Sequence, residues 1–208
     1  MTKRMLSVLF GVCAGVAILC SAARAQSPPT EDWATAHFPV AFEEFFPMQL
    51  GEGGLIAVRV HRSKRNDLRE YSIVFEGTQS SKSLRAVLRE ARGSSLYQQL
   101  AALHATRPSA SYDELKRGVK VEVWMLTADE CPAVAAQFKA FEDVQFVRPR
   151  DEDEPEEDPV LYEFNETLAG GGSVVEYMEH RALPRWARVT HDAFEACIAS
   201  GKATAGPN

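Results

Sequence analysis

Residues Leu55–His61 alternate in character, with Ile56, Val58 and Val60 on one face and Arg59 and His61 on the other. Tyr71, Ile73 and Phe75 repeat the pattern. Period-two alternation predicts strands with one face against a core. The polar connection over 62–69 joins them as an antiparallel hairpin, and Gly77 ends it. The clearest strand is Val119–Leu126, with Val119, Val121, Val123 and Met125 on one face and Lys120, Glu122 and Trp124 on the other. Val160–Leu168 and Ser173–Arg181 predict a second hairpin across Ala169-Gly170-Gly171-Gly172, and Val144–Val147 a further short strand.

Helical spacing appears elsewhere. Phe38, Phe42, Phe45 and Phe46 share one face, with Pro39 near the start, where proline suits the first turn. With Trp33 they form an aromatic cluster, read as core rather than as a recognition stripe. Ser80–Ala105 reads as helix, with one stripe of Leu84, Val87, Leu88 and Ala91 and a second of Leu96, Leu100 and Leu103. The stripes do not phase across Gly93-Ser94-Ser95, which predicts two helices or a kink. A helical turn is expected at Tyr112–Lys116 and a helix from Pro132 to Phe141. The last helix spans Leu183–Ala199, where Trp186, Val189, Ala193, Phe194, Cys197 and Ile198 recur at helical spacing before Gly201.

Hairpins imply antiparallel pairing, and strands with one polar face need one covering layer. The expectation is an α+β domain: a mainly antiparallel sheet of five or six strands, helices packed on one face, and one disulfide.

The first residues belong to a different class. Lys3 and Arg4 precede an uncharged apolar run, Met5–Leu19, and Ala23-Arg24-Ala25 follows. A basic start, an apolar stretch of about 15 residues and an A-x-A end match a cleaved secretory signal. A membrane span needs about 20 apolar residues. Residues 1–25 are therefore expected to be removed, leaving a single domain at 26–200 and a flexible tail at 201–208. The Ala-rich leader points to a bacterial periplasm. Cys13 and Cys20 leave with the signal, so Cys131 and Cys197 remain as one disulfide, each on the buried stripe of its helix.

Charge adds one localised feature. The 208-residue chain has a formal charge of −6, and removing 1–25 with its three basic groups leaves 20 basic against 29 acidic side chains. Seven of those acids lie in 151–158, a solvated loop. The remainder is close to neutral, and a net acidic chain is not a general nucleic-acid binder. The counterpart is a basic hairpin: Arg59, Arg62, Lys64, Arg65 and Arg69 lie within 11 residues, with Asp67 the only acid. These five are the candidate anion or partner site, set against an ordinary solvated turn.

Catalytic signatures are missing. There is no H-E-x-x-H, C-x-x-C, phosphate loop or dinucleotide fingerprint, so neither metal nor cofactor is expected from motifs. Glu176, Glu179, His180, His191 and Asp192 can converge as a metal or acid–base site, set against ordinary exposed surface groups, with His191 expected near the polar side of its helix. The leading expectation is an exported, non-catalytic binding module, of inhibitor or immunity type or an accessory envelope protein. The alternatives are an envelope hydrolase built on His180 and His191 with nearby carboxylates, and a self-associating structural protein.

Overall fold

In the computed structural model, residues 30–48, 50, 53–62, 70–77, 84–144, 160–166, 173–176 and 182–206 are described. The first hairpin forms as its alternation predicts. β1 (Gly54–Arg62) pairs antiparallel with β2 (Tyr71–Glu76), in a register that sets Val58 opposite Ile73 and Val60 opposite Tyr71. β2 pairs with β3 (Arg85–Ala91), and β3 with β4 (Val121–Thr127). On the other side, β1 pairs with β5 (Val160–Glu166), and β5 with β6 (Ser173–Glu176). A two-residue strand, β7 (Thr204–Ala205), closes the far edge. The order is β6-β5-β1-β2-β3-β4-β7, antiparallel throughout.

The expected α+β class, antiparallel sheet and disulfide are all present. Two helices, α4 (Pro132–Ala140) and α5 (Ala182–Ala199), cover one face. Here Val58, Val60, Ile73, Phe75 and Leu88 meet Val134, Phe138, Leu183, Trp186 and Phe194. Each of these large side chains contributes roughly 1.5–3 kcal/mol on burial. The Trp186 indole N–H donates to the Gln137 carbonyl at 2.8 Å, so the buried ring keeps its polar partner. Cys131, at the start of α4, is disulfide-bonded to Cys197 on α5, with Cα atoms 6.2 Å apart. The bond closes a separation of 66 residues, worth about 4 kcal/mol in the chain-entropy account.

The opposite face receives additional cover from α1 (Thr30–Phe45), which packs on α2 (Leu96–Thr106) through Phe38, Phe42, Leu96 and Leu100. Pro39 lies inside α1 rather than in its first turn. The Trp33 ring is sandwiched between His37 and His104, with centroids at 4.1 and 4.4 Å, and so ties α1 to α2. The predicted turn appears as α3 (Tyr112–Leu115).

Two segments differ from expectation. Leu84–Ala91 was expected to be helical and is strand β3. Its apolar residues also fit helical spacing, because a central strand covered on both faces is apolar on both. Val87 and Ala91 look to one side, Ala86, Leu88 and Glu90 to the other. The helix begins only at Leu96, where the Ser95 hydroxyl and the Gln98 side chain form a capping box. The tail expected to fray instead docks on β4, and the Gly206 N–H donates to the Val123 carbonyl at 2.7 Å. A Cβ on Gly206 would stand 2.8 Å from Val123 Cγ1, so the approach requires glycine. The signal segment, the acidic loop, the strand expected beyond Val144 and the end of the second hairpin lie outside the described residues.

Candidate functional site

Glu90 sits where β3 faces α5 and is fully buried. Strand parity puts it with Ala86 and Leu88 on the core face, directly opposite Tyr71 on β2 and Glu122 on β4. Helical periodicity on α5 stacks His191 and Glu195, one turn apart, toward the same point. The His191 Nε2 lies 3.5 Å from Glu90 Oε1. Its ring packs against Tyr71 with centroids 4.4 Å apart. Arg92, just past the end of β3, ties the group together. Its Nε lies 3.0 Å from both Glu90 Oε2 and Glu122 Oε2, and its outer nitrogen lies 2.6 Å from Glu195 Oε1. The Trp124 indole N–H donates to Glu122 at 3.2 Å.

The electrostatics follow from burial and from an excess of carboxylates. Burial opposes the Arg92 charge, but Glu90, Glu195 and Glu122 outweigh it and raise the Arg92 pKa above its ordinary value. Burial also pushes the Tyr71 phenol strongly up, with lesser contributions from Tyr162, Asp192 and Glu90, so the hydroxyl stays neutral. Among the described residues, three carboxylates, Glu90, Glu122 and Glu195, gather around this one guanidinium. Donor atoms of Glu90, His191 and Glu195 all lie within 4.8 Å of one another, the one such grouping among the described residues.

A second charged cluster lies on the opposite face. Arg59, expected to serve a partner, is only 9% exposed and is engaged within the chain. It is ion-paired with Glu163, its register partner on β5, and with Glu43 of α1 at 2.7 Å. Its guanidinium lies over the Phe42 ring, 5.0 Å from the centroid. The hydrogen bond from Arg59 holds the Glu43 carboxyl below its usual range. His61, two residues on, stacks on Phe42 with centroids 4.1 Å apart. Burial pushes its pKa down to about 4, Glu163 and Glu43 opposing and Arg59 assisting. Of the other basic candidates, Lys64, Arg65, Arg69 and the side chain of Arg62 lie outside the described residues. The backbone of Arg62 is described, and it pairs with Val160 at the start of β5.

A second buried acid, Glu70, precedes β2. Its carboxylate accepts the Leu96 N–H at 2.6 Å, at the N-terminus of α2. Burial pushes its pKa up to about 7, and that hydrogen bond only partly offsets the shift. Nearby, Ser94, Gln99, Ala102, Leu103, Gly118 and Lys120 border a shallow groove of about 350 Å³ beside Arg92.

Only part of the predicted His–carboxylate group is visible. Glu179, His180 and the side chain of Glu176 lie outside the described residues, and Asp192 is exposed on α5. His191, expected on the polar side, is buried, because α5 turns it toward β3 rather than toward solvent. Its actual neighbours, Glu90, Arg92 and Glu122, escaped the sequence reading. Glu90 was hidden in a segment read as helix; a period-two reading would have placed it on the core face with Leu88. No family model, curated protein or solved structure matches this chain.

Proposed function

We propose that this protein is an exported, non-catalytic binding module of the periplasm that engages a protein partner through its two oppositely charged segments. It would act as an inhibitor or immunity-type protein, or as an accessory of an envelope complex. One observation carries this reading: the basic and acidic segments join the sheet at neighbouring points. β1 ends at Arg62, immediately before the basic stretch, and Arg62 pairs with Val160, the first residue of β5 after the acidic stretch. Two oppositely charged stretches thus adjoin paired strand ends in the chain, and charge of this kind favours encounter rate and partner choice over stability. Export is supported by the signal-like N-terminus and by a disulfide of the kind an oxidising compartment sustains. No described helix is long and apolar enough to cross a membrane.

The test is cross-linking capture from periplasmic extract at low and high salt. Wild type is compared with a variant lacking 151–158 and with Arg62→Gln/Lys64→Gln/Arg65→Gln. The expected result is a defined partner lost in both variants and at high salt. Capture that ignores the variants overturns the reading. Capture of the chain's own copies, with salt-sensitive sedimentation, replaces it with self-association.

A hydrolase is the second reading, favoured by Glu90 standing 3.5 Å from His191. It requires turnover of ester, peptide or glycan substrates that vanishes in His191→Ala; no turnover across such a panel removes it.

A further inference from the structure

We propose that Glu90, His191 and Glu195 form a binding site for one first-row divalent cation of the zinc class, at the junction of β3 and α5. This is independent of the charged segments and of the partner reading above.

The imidazole supplies the first argument. The His191 side chain is 8% exposed, and its Nε2 has no hydrogen-bond partner among the described residues. A buried ring nitrogen ordinarily finds a donor or an acceptor. This one is aimed at Glu90 Oε1 across 3.5 Å. Around a tetrahedral ion with bonds of about 2.1 Å, donors stand about 3.4 Å apart. The His191–Glu90 pair already has that spacing. The third ligand comes from Glu195, a half-buried side chain one turn along the same helix, within the 4.8 Å spread of the group. Closing on an ion asks for a shift of about 1 Å in a flexible glutamate, well within rotamer freedom.

The surroundings supply the second argument. Metal-binding carboxylates are usually held by an outer hydrogen bond. Arg92 does this for Glu90, holding Oε2 while Oε1 faces His191. The Tyr71 ring fixes the plane of the imidazole. One imidazole nitrogen with carboxylate oxygens suits zinc, whereas magnesium and calcium prefer all-oxygen sets.

The experiment is calorimetric titration of chelator-treated, disulfide-intact mature protein with zinc chloride, and with magnesium and calcium chloride in parallel. Cobalt(II) absorption serves as a spectroscopic readout. Wild type is expected to bind one zinc per chain, reject magnesium and calcium, and develop a cobalt ligand-field band. His191→Gln and Glu195→Gln should each weaken zinc binding by about tenfold or more and abolish the band. Glu195 is partly exposed, so its variant should fold even if His191→Gln does not, and circular dichroism checks both. The loop variants above should bind zinc like wild type. Absence of one-to-one zinc binding by wild type, equal binding of calcium, or unchanged affinity in a folded Glu195→Gln variant overturns the proposal.

Discussion

Two clusters on opposite faces of one sheet use the same parts differently. Each has one arginine, a set of glutamates and one buried histidine. Around Arg59, two carboxylates meet one guanidinium, and His61, packed against aromatic rings, has its Nε2 3.9 Å from Glu163 Oε2. Around Arg92, three carboxylates meet one guanidinium, and His191 faces a carboxylate oxygen. The first arrangement nearly closes its own charge and keeps its histidine neutral. The second gathers three carboxylates and brings its histidine nitrogen closer, 3.5 Å from a fully buried acid. A histidine's neighbours, more than its burial, therefore separate a packing residue from a ligand candidate. The two regions also differ in restraint. The disulfide clamps α5, which carries His191 and Glu195, whereas α1, which carries Glu43, has no covalent tie in the described residues.

The largest expected effect breaks that restraint. Cys131→Ala/Cys197→Ala should cost about 4 kcal/mol in urea unfolding. It should also weaken zinc binding, since α5, which carries His191 and Glu195, loses its covalent tie to α4. A smaller loss, about 3 kcal/mol, is expected for Arg59→Met, which leaves Glu163 partly buried beside an apolar side chain. That variant should keep zinc binding, and loss of binding with it would show that the two faces are coupled.

The histidines sharpen the comparison through pH. His61 has its folded pKa lowered from 6.5 to about 4. Its contribution is fully present above pH 6.5 and is lost as pH falls toward 4, because the unfolded chain takes the proton first. Wild type should lose on the order of 2 kcal/mol more than His61→Phe between pH 7 and 4.5, read from urea midpoints. Glu70 works in the opposite sense. Its folded pKa is raised from 4.5 to about 7, so its contribution is greatest below pH 4.5 and is lost as pH rises to 7. Glu70→Gln should be more stable than wild type at pH 8 by about 1–2 kcal/mol, with the gain vanishing near pH 4. A gain that persists at pH 4 would mean that titration is not its source.

The fold was legible wherever polar and apolar residues alternate with a single period along an element, even where both faces are covered, as in β1 and β2. β1, β2 and β4 alternate, and α5 carries a clear apolar stripe, so their periods could be read directly. β3 was misread because its apolar positions satisfy two periods at once. The candidate site was largely hidden for the same reason. Glu90 lay in a segment read as helix, and His191 was expected near the polar side of its helix, whereas both are buried. Arg59 drew attention as part of a basic run, although its ion partners, Glu43 and Glu163, lie far from it in sequence.

Local patterning alone settled the strands of the first hairpin, the last helix and the segregation of charge into two short stretches, and it made Cys131 and Cys197 the expected disulfide pair. These follow from side-chain period, cysteine count and composition, none of which needs a partner element. The tertiary structure alone decided that Arg62 stands beside Val160, that Arg59 is enclosed by glutamates, and that His191 meets Glu90. Those outcomes depend on sheet order and on the rotation of α5 over β3, which are set by packing of the whole core rather than by any neighbouring residues in the chain.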